Sequence, residues 1–521
     1  MSSYRHPFRR RVLRNALAGL AANVWAIVVA LVTLPLMVHG LGVANFGRWV
    51  LLQTMSASTG WLAILDGGLA VAGTRLVSIR AAAGRESGTG SAVGTTMVSF
   101  LALGALGAGI SVGAAWAVLR LLGRIPAQGT EAAHAAALLI SLQVAGEFVQ
   151  QGSESCLEGL QRLDLSRTVD ALRRTLFAGA TTTAALIGGS LRTVETAAVA
   201  ASVLGAVLGI GALMAQRLPR LSISAYDLRE MLAYAGKVAL LRPIAALYRL
   251  MDRVIVGVAL GPAAVSAVEV ATQLQNGCDA VVSGITATLV PSSAWVDARR
   301  DRQRLTETLL SGTRYALVLS WPLAAGVAML AAPGIRLWTG AALAATAAGP
   351  ARVAVAASAL AAMAQVAGNI LLGTGRGAVI LRASAVGVVV DLGVSIALVH
   401  PLGVAGVFWG TVAAVGVTTP WITVAGCRYC GTDLRTFFNE AVLPMVVPVL
   451  VELAVLGVVI ALGLGPAATL AIGVPLGTAA VAVTVRRALP RGEMAELWRV
   501  MRGGGAETEQ AEARSGGIDV S

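Results

Sequence analysis

Fourteen apolar stretches, each close to twenty residues long, alternate with short polar gaps between residues 16 and 485. They run 16–38, 47–69, 92–119, 132–153, 168–187, 196–215, 231–258, 263–289, 309–331, 351–372, 379–399, 402–425, 441–462 and 467–485. A helix rises about 1.5 Å per residue, so roughly 20 apolar residues cross a hydrocarbon core of about 30 Å. A mean hydropathy of +0.76 with 13% charged residues fits no soluble class. The chain reads as an all-α integral membrane protein with 14 transmembrane helices.

Arginine crowds into every second gap. Arg5, Arg9, Arg10, Arg11 and Arg14 precede the first span, and further groups follow spans two, four, six, eight, ten, twelve and fourteen. These positions hold 29 of the 40 Lys+Arg residues, whereas the other gaps hold six. The positive-inside rule then puts both termini in the cytoplasm, which requires an even number of spans. Lys237 is the only lysine, the mark of a GC-rich bacterial genome, so the expected location is a bacterial inner membrane. The first span is too long for a signal-peptide core.

The net charge of +13 is mostly this topological bias, and no soluble basic domain exists to bind nucleic acid. Cys427 and Cys430 form a lone CxxC with no second pair and no nearby histidine, so no metal site is expected. The four histidines are scattered, and Gly373 to Gly377 lacks the strand and helix context of a phosphate loop. A polymerase or ligase would need a sizeable outer loop with basic and acidic residues. The longest outer gap, 332–350, offers only Arg336. No catalytic residue and no cofactor is expected.

The chain also repeats itself. A shift of 219 residues places Leu41-Gly42 on Leu260-Gly261, span one on span seven and span two on span eight. A six-span unit begins and ends on one face, so its copies share orientation, the parallel-repeat arrangement of some transporters. The expected organisation is an N-lobe (1–217), a C-lobe (218–430), helices 13 and 14 (431–487), and a cytoplasmic interfacial helix with a disordered tail (488–521). Two six-helix lobes would enclose a central cleft.

Local marks sit along this frame. Leu41-Gly42 is followed by Phe46-Gly47, Asp66-Gly67-Gly68 ends span two, and Gly159-Leu160-Gln161-Arg162 follows span four. The second half carries Asp252-Arg253, Leu260-Gly261-Pro262, Pro291, Gly375-Arg376 and Gly403-Val404-Ala405-Gly406. In order and spacing these resemble the bacterial polysaccharide biosynthesis proteins, lipid-linked oligosaccharide flippases of the Wzx type. That family lies in the multidrug/oligosaccharidyl-lipid/polysaccharide exporter superfamily, with the multidrug-and-toxin extrusion transporters. The resemblance implies a transporter that moves a polyprenyl-diphosphate-linked glycan, with glycosyltransferases and a polysaccharide polymerase as pathway partners. Two departures stand out: the aromatic residue usual after the second Leu-Gly-Pro is missing from 263–268, and Asp391 stands where an amide is common.

An ionisable residue at the bilayer centre costs about 2.5 to 3.5 kcal/mol even on lenient scales, so it needs a partner or a wet cavity. Span seven carries Arg242, Arg249 and Arg253 within about 40° of one another around a helix. Arg242 and Arg249 lie roughly 17 and 14 Å from the ends of the span, near mid-depth. Arg253 is close enough to the outer surface to snorkel, and Asp252 lies three residues from Arg249. Pro243 loosens the helix beside Arg242. Two readings stay open: a salt-bridge network with acidic partners on span four or eight, or a cationic wall for an anionic headgroup. A diphosphate suits the second, because guanidinium presents planar, always-charged paired donors.

Span four lines Gln143, Glu147, Gln150, Gln151, Glu154 and Glu158 on one face, and span eight does the same with Glu269, Thr272, Gln273, Asn276, Asp279 and Ser283. Glu147, Glu269, Asp279 and Asp252 are the candidates for taking up H⁺ or Na⁺ in each cycle, against the alternative that they pair with span-seven arginines or line water. Asp391 and Glu452 are lesser candidates. The expected function is an alternating-access flippase that takes a lipid-linked oligosaccharide from inner to outer leaflet. The alternatives are an ion-coupled multidrug antiporter of the same superfamily, or a transporter of another lipid-linked cell-wall precursor.

Overall fold

The computed structural model describes residues 5–58, 60–83, 86–121, 130–216, 218–238, 241–286 and 289–488. Its helices are α1 (Arg5–Gln53), α2 (Leu69–Ala82), α3 (Glu86–Leu121), α4 (Thr130–Gly159), α5 (Leu163–Gly188), α6 (Leu191–Met214), α7 (Ala225–Val238), α8 (Leu241–Leu260) and α9 (Pro262–Thr286). They continue with α10 (Leu289–Ala298), α11 (Arg302–Thr339), α12 (Ala341–Gly373), α13 (Gly377–Leu402), α14 (Val404–Cys430), α15 (Leu434–Phe437), α16 (Leu443–Ala461) and α17 (Pro466–Ala488). The described residues are all-helical, as the apolar pattern predicts. The interfacial helix and tail expected over 488–521 lie outside the described residues, apart from Ala488.

Among the described residues, nine helical segments are long and apolar enough to cross a membrane. The predicted spans not among them are two, four, five, seven and eight. Spans four and five are continuous helices that carry charge: Glu147, Glu154 and Glu158 on α4, and Asp164, Arg167, Asp170, Arg173 and Arg174 on α5. Span two is broken. It passes through residues 54–58 and 60, which form no α-helix, and a short 3-10 helix at Trp61–Asp66 before resuming as α2. Spans seven and eight each include residues outside the described ones, 239–240 and 287–288.

The chain forms two compact units, one of residues 1–273, 338–351 and 384–414, the other of 274–337, 352–383 and 415–521. In the first, Phe100 of α3, Phe148 and Leu157 of α4, Leu76 of α2, Leu213 of α6 and Met231 of α7 share one core. In the second, Leu309 and Leu317 of α11, Ile370 of α12, Cys427 of α14 and Met445 of α16 do the same. Lipid tails are as apolar as these side chains, so close packing and interhelical hydrogen bonds, rather than transfer out of water, hold such helices together. Small residues permit the approach: a Cβ on Gly152 would lie 2.8 Å from the Phe100 side chain.

The internal repeat is written in the turns. Gly42 and Gly261, 219 residues apart, both have left-handed backbone (φ 73° and 90°) between consecutive spans. Gln161 and Gly375 share that conformation 214 residues apart, as do Gly189 and Gly403. The closing bonds match too, Arg162 N donating to Leu157 O at 2.9 Å and Arg376 N to Leu371 O at 2.7 Å. One constant offset therefore covers spans four to six against ten to twelve.

Two predicted loop arginines belong to a helix instead. Arg75 and Arg80 extend from α2 toward α7, where Arg80 binds Asp227 at 2.7 Å and Glu230 at 3.0 Å, and Arg75 lies 3.6 Å from Glu230. The hydrogen bond to Asp227 holds the Arg80 guanidinium pKa above its already high ordinary value.

Candidate functional site

The break in span two is built around Glu147. A segment without helical hydrogen bonds is tolerated at membrane depth only where protein satisfies its backbone. Glu147, 3% exposed on α4, does this: its Oε2 accepts the Ser56 hydroxyl at 2.7 Å and the backbone N–H groups of Ala57 and Ser58 at 2.7 and 3.0 Å. Its Oε1 accepts Gln143 Nε2 at 2.8 Å, and one turn further Gln151 Nε2 donates to the Ala57 carbonyl at 2.9 Å. The polar stripe of span four therefore holds the broken part of span two. Gly60 closes the segment, since a Cβ there would sit 2.3 Å from the Thr54 carbonyl oxygen. Asp66 then caps α2 by accepting the Ala70 N–H at 2.7 Å.

The network continues to a carboxylate that sequence reasoning missed. Gln53, the last residue of α1, exchanges bonds with Gln143: its Nε2 donates at 3.3 Å and its Oε1 accepts at 2.9 Å. The same Nε2 lies 3.4 Å from Oε1 of Glu195 on α6. Glu195 is fully buried, and its Oε2 has no hydrogen-bond partner among the described residues. The sequence reading started span six at residue 196 and so left Glu195 in a loop. The available signal was its position one turn inside a helix capped by Ser190, whose Oγ accepts the Thr193 N–H.

A second cluster in the same unit contains the other predicted residues. Arg253 does not run to the surface. Its Nε and Nη2 lie 2.9 and 2.8 Å from Oε2 of Glu269, so spans seven and eight are tied by a largely buried ion pair. Asp252, beside it, is near enough to Asp391 of α13 for the two charges to act on each other. Asp252 Oδ1 and Asp391 Oδ1 are both buried without a partner among the described residues. Around Asp391, Ser395 Oγ and Thr411 Oγ1 both donate to the Val407 carbonyl, at 3.1 and 3.5 Å. A Cβ on Gly410 would lie 2.0 Å from Ser395 Oγ and 3.0 Å from Asp391 Oδ1, so glycine lets α14 close on this carboxylate.

Asp279 belongs to the other unit, where it faces Ser358 of α12. Glu452 of α16 is buried there with one unpartnered oxygen, next to Gly326 and Gly477. The backbone of Arg242 and Arg249 is helical within α8, and their side chains lie outside the described residues. Chemically, Glu147 and Glu269 are occupied by donors, whereas Glu195, Asp252 and Asp391 each keep an oxygen uncommitted. Buried polar atoms without partners are costly, which sets these three carboxylates apart from Glu147 and Glu269.

Comparison with known proteins places this geometry. The sequence signature of the family described as polysaccharide biosynthesis protein matches residues 129–347. No curated protein matches at the sequence level. Among solved structures, the lipid II flippase MurJ in an inward closed conformation aligns over 91% of this chain and 98% of its own, with a TM-score of 0.71 and 11% identity. An inward-facing multidrug resistance MATE family transporter of the MOP superfamily aligns over 78% and 94%, with a TM-score of 0.65 and 17% identity. Its outward-facing counterpart aligns over 81% and 95%, at 0.55 and 16%. The chain thus carries a polysaccharide biosynthesis protein signature over residues 129–347, in a fold similar to those of the lipid II flippase MurJ and a MATE family transporter.

Proposed function

We propose that this protein is a flippase that moves a polyprenyl-diphosphate-linked oligosaccharide from the inner to the outer leaflet by alternating access. The observation that carries the proposal is the polysaccharide biosynthesis signature over residues 129–347, which includes α8 with Arg242, Arg249 and Arg253, in a fold shared with a lipid II flippase. The diphosphate would meet the guanidinium groups of Arg242 and Arg249. Arg253 is held by Glu269 and positions α8 against α9. Glycosyltransferases and a polymerase would act before and after it.

In this account an H⁺ or Na⁺ gradient drives the cycle through the carboxylates that keep an uncommitted oxygen. Asp252 with Asp391, and Glu195 through Gln53, fit that role better than Glu147, both of whose oxygens are tied to donors, or Glu269, which Arg253 holds. The test is glycan export in cells carrying Arg242→Gln with Arg249→Gln. Export is lost at normal protein level if the proposal holds, and survives if it is wrong.

The MATE-like fold also supports a second reading, an ion-coupled drug antiporter. Efflux of a cationic dye by purified protein, undiminished by the same arginine changes, would favour it.

A further inference from the structure

Three arginines that the sequence assigns to separate inside gaps converge on one cavity in the second unit. It has a volume of about 800 Å³ and is lined by Arg302, Gln303 and Thr306 at the start of α11, Arg376 in the turn before α13, and Arg428 and Tyr429 at the end of α14. The positive-inside rule accounts for basic residues anywhere on this face. It does not account for three of them gathered around a single concave site, where like charges repel.

The cavity is organised by Tyr429. The guanidinium carbons of Arg302 and Arg376 lie 4.5 and 4.4 Å from the centre of its ring. The ring is itself fixed, its hydroxyl donating to Asp297 Oδ1 and its backbone carbonyl accepting from Arg302 Nη1. Thr306 fastens the same strand of chain, donating to the Cys430 carbonyl at 2.7 Å. A guanidinium held by its face against an aromatic ring keeps its N–H edge for an oxyanion.

The nearby carboxylates are committed elsewhere. Asp297 holds the Tyr429 hydroxyl, Asp301 accepts the Arg304 backbone N–H at 3.0 Å, and Asp433 is bonded to Thr436. Among the described residues, Arg376 and Arg428 have no carboxylate partner. The site therefore presents rigid, forked, positively charged donors with no anion of its own to meet them.

We infer that the cavity formed by Arg302, Arg376, Arg428 and Tyr429 binds a phosphate group, carried by an anionic phospholipid headgroup or by a free solute. Paired guanidinium donors match phosphate oxygens two at a time, which a carboxylate-free cavity with three arginines supplies. This site is independent of the transported substrate and of the arginines on α8.

The test uses the full-length purified protein in nanodiscs. One arm compares melting in phosphatidylcholine with melting in discs holding a third phosphatidylglycerol; the other titrates inorganic phosphate and pyrophosphate in phosphatidylcholine discs. A stabilisation in the first arm assigns the lipid, one in the second assigns the solute, and either supports the site. Arg376→Gln with Arg428→Gln should weaken binding at least tenfold, and each single change should weaken it too, whereas Arg435→Gln, the loss of one charge outside the cavity lining, should leave it unchanged. Arg428→Lys keeps the charge and should still lose most of the effect, which covers the case where the double variant does not fold. No stabilisation of the unmodified protein in either arm overturns the inference, as does an equal loss in Arg435→Gln.

Discussion

The Glu147 carboxylate accepts the Ala57 backbone N–H at 2.7 Å, inside a membrane-spanning segment that has left the helical path. The carboxylate does for residues 56–58 what the next turn of helix would otherwise do. Its position on α4, one turn from Gln143 and Gln151, ties the polar face of span four to the interruption in span two.

Glu147→Gln removes the charge that the Ser56, Ala57 and Ser58 donors meet on one oxygen, and puts an amide NH2 where the other oxygen accepts Gln143 Nε2. A hydrogen bond to a charged group is worth about 1.5–3 kcal/mol, and each buried donor left unmet adds a penalty. The variant should melt well below the unmodified protein in detergent, with faster proteolysis within residues 54–60. An unchanged melting temperature would show that the break does not depend on this carboxylate.

Glu195→Gln should behave oppositely. Glu195 has one long hydrogen bond and one unpartnered oxygen, so an amide of the same shape removes little that holds the fold. The expected outcome is a melting temperature close to that of the unmodified protein, with transport that no longer responds to an imposed pH gradient. Retained pH response would take Glu195 out of the coupling scheme.

The matching helix ends make a steric prediction. A Cβ on Gly159 would lie 2.8 Å from the Thr74 carbonyl oxygen of α2, and one on Gly373 would lie 2.3 Å from the Val290 carbonyl oxygen of α10. Each Gly→Ala change should cost about 1–3 kcal/mol, the usual range for overpacking. Gly109→Ala, with nothing within 4 Å of its added methyl, should be neutral. Thermal melts of the three variants compare them directly.

Arg253 and Glu269 form a pair whose partners depend on each other. Removing one side of a buried pair leaves an uncompensated charge, typically at about 3–5 kcal/mol, whereas removing both restores neutrality. Arg253→Gln and Glu269→Gln should each destabilise strongly, and the double variant should recover much of the loss. Strict additivity of the two effects would mean that the 2.8 Å contact contributes no coupling.

Much of this architecture was legible in the residue pattern, because membrane helices announce themselves by length and their turns by glycine. Leu41-Gly42, Leu260-Gly261 and Gly375-Arg376 were visible as marks, and the structure shows them as left-handed turns. Helix interruptions were less legible. Span two reads as continuous by hydropathy, since Thr54, Ser56 and Ser58 are polar without charge, and only the contact with Glu147 reveals that the backbone has left the helix. The partner of Arg253 was foreseen as an acidic residue on span four or eight without being singled out. Glu195 was hidden because a boundary error of one residue moved it from membrane to loop. Convergence of Arg302, Arg376 and Arg428 on Tyr429 was beyond the sequence, being a property of three loops meeting.

Flipping by the purified protein tests the central claim most directly. Liposomes holding the protein and a fluorescent polyprenyl-diphosphate glycan on one leaflet would be treated with a membrane-impermeant quencher to follow arrival on the other. The account expects transfer well above protein-free liposomes, abolished by Arg242→Gln with Arg249→Gln and unaffected by Arg435→Gln. Transfer no faster than in protein-free liposomes under an imposed H⁺ or Na⁺ gradient, or transfer that the two α8 changes leave intact, would contradict it.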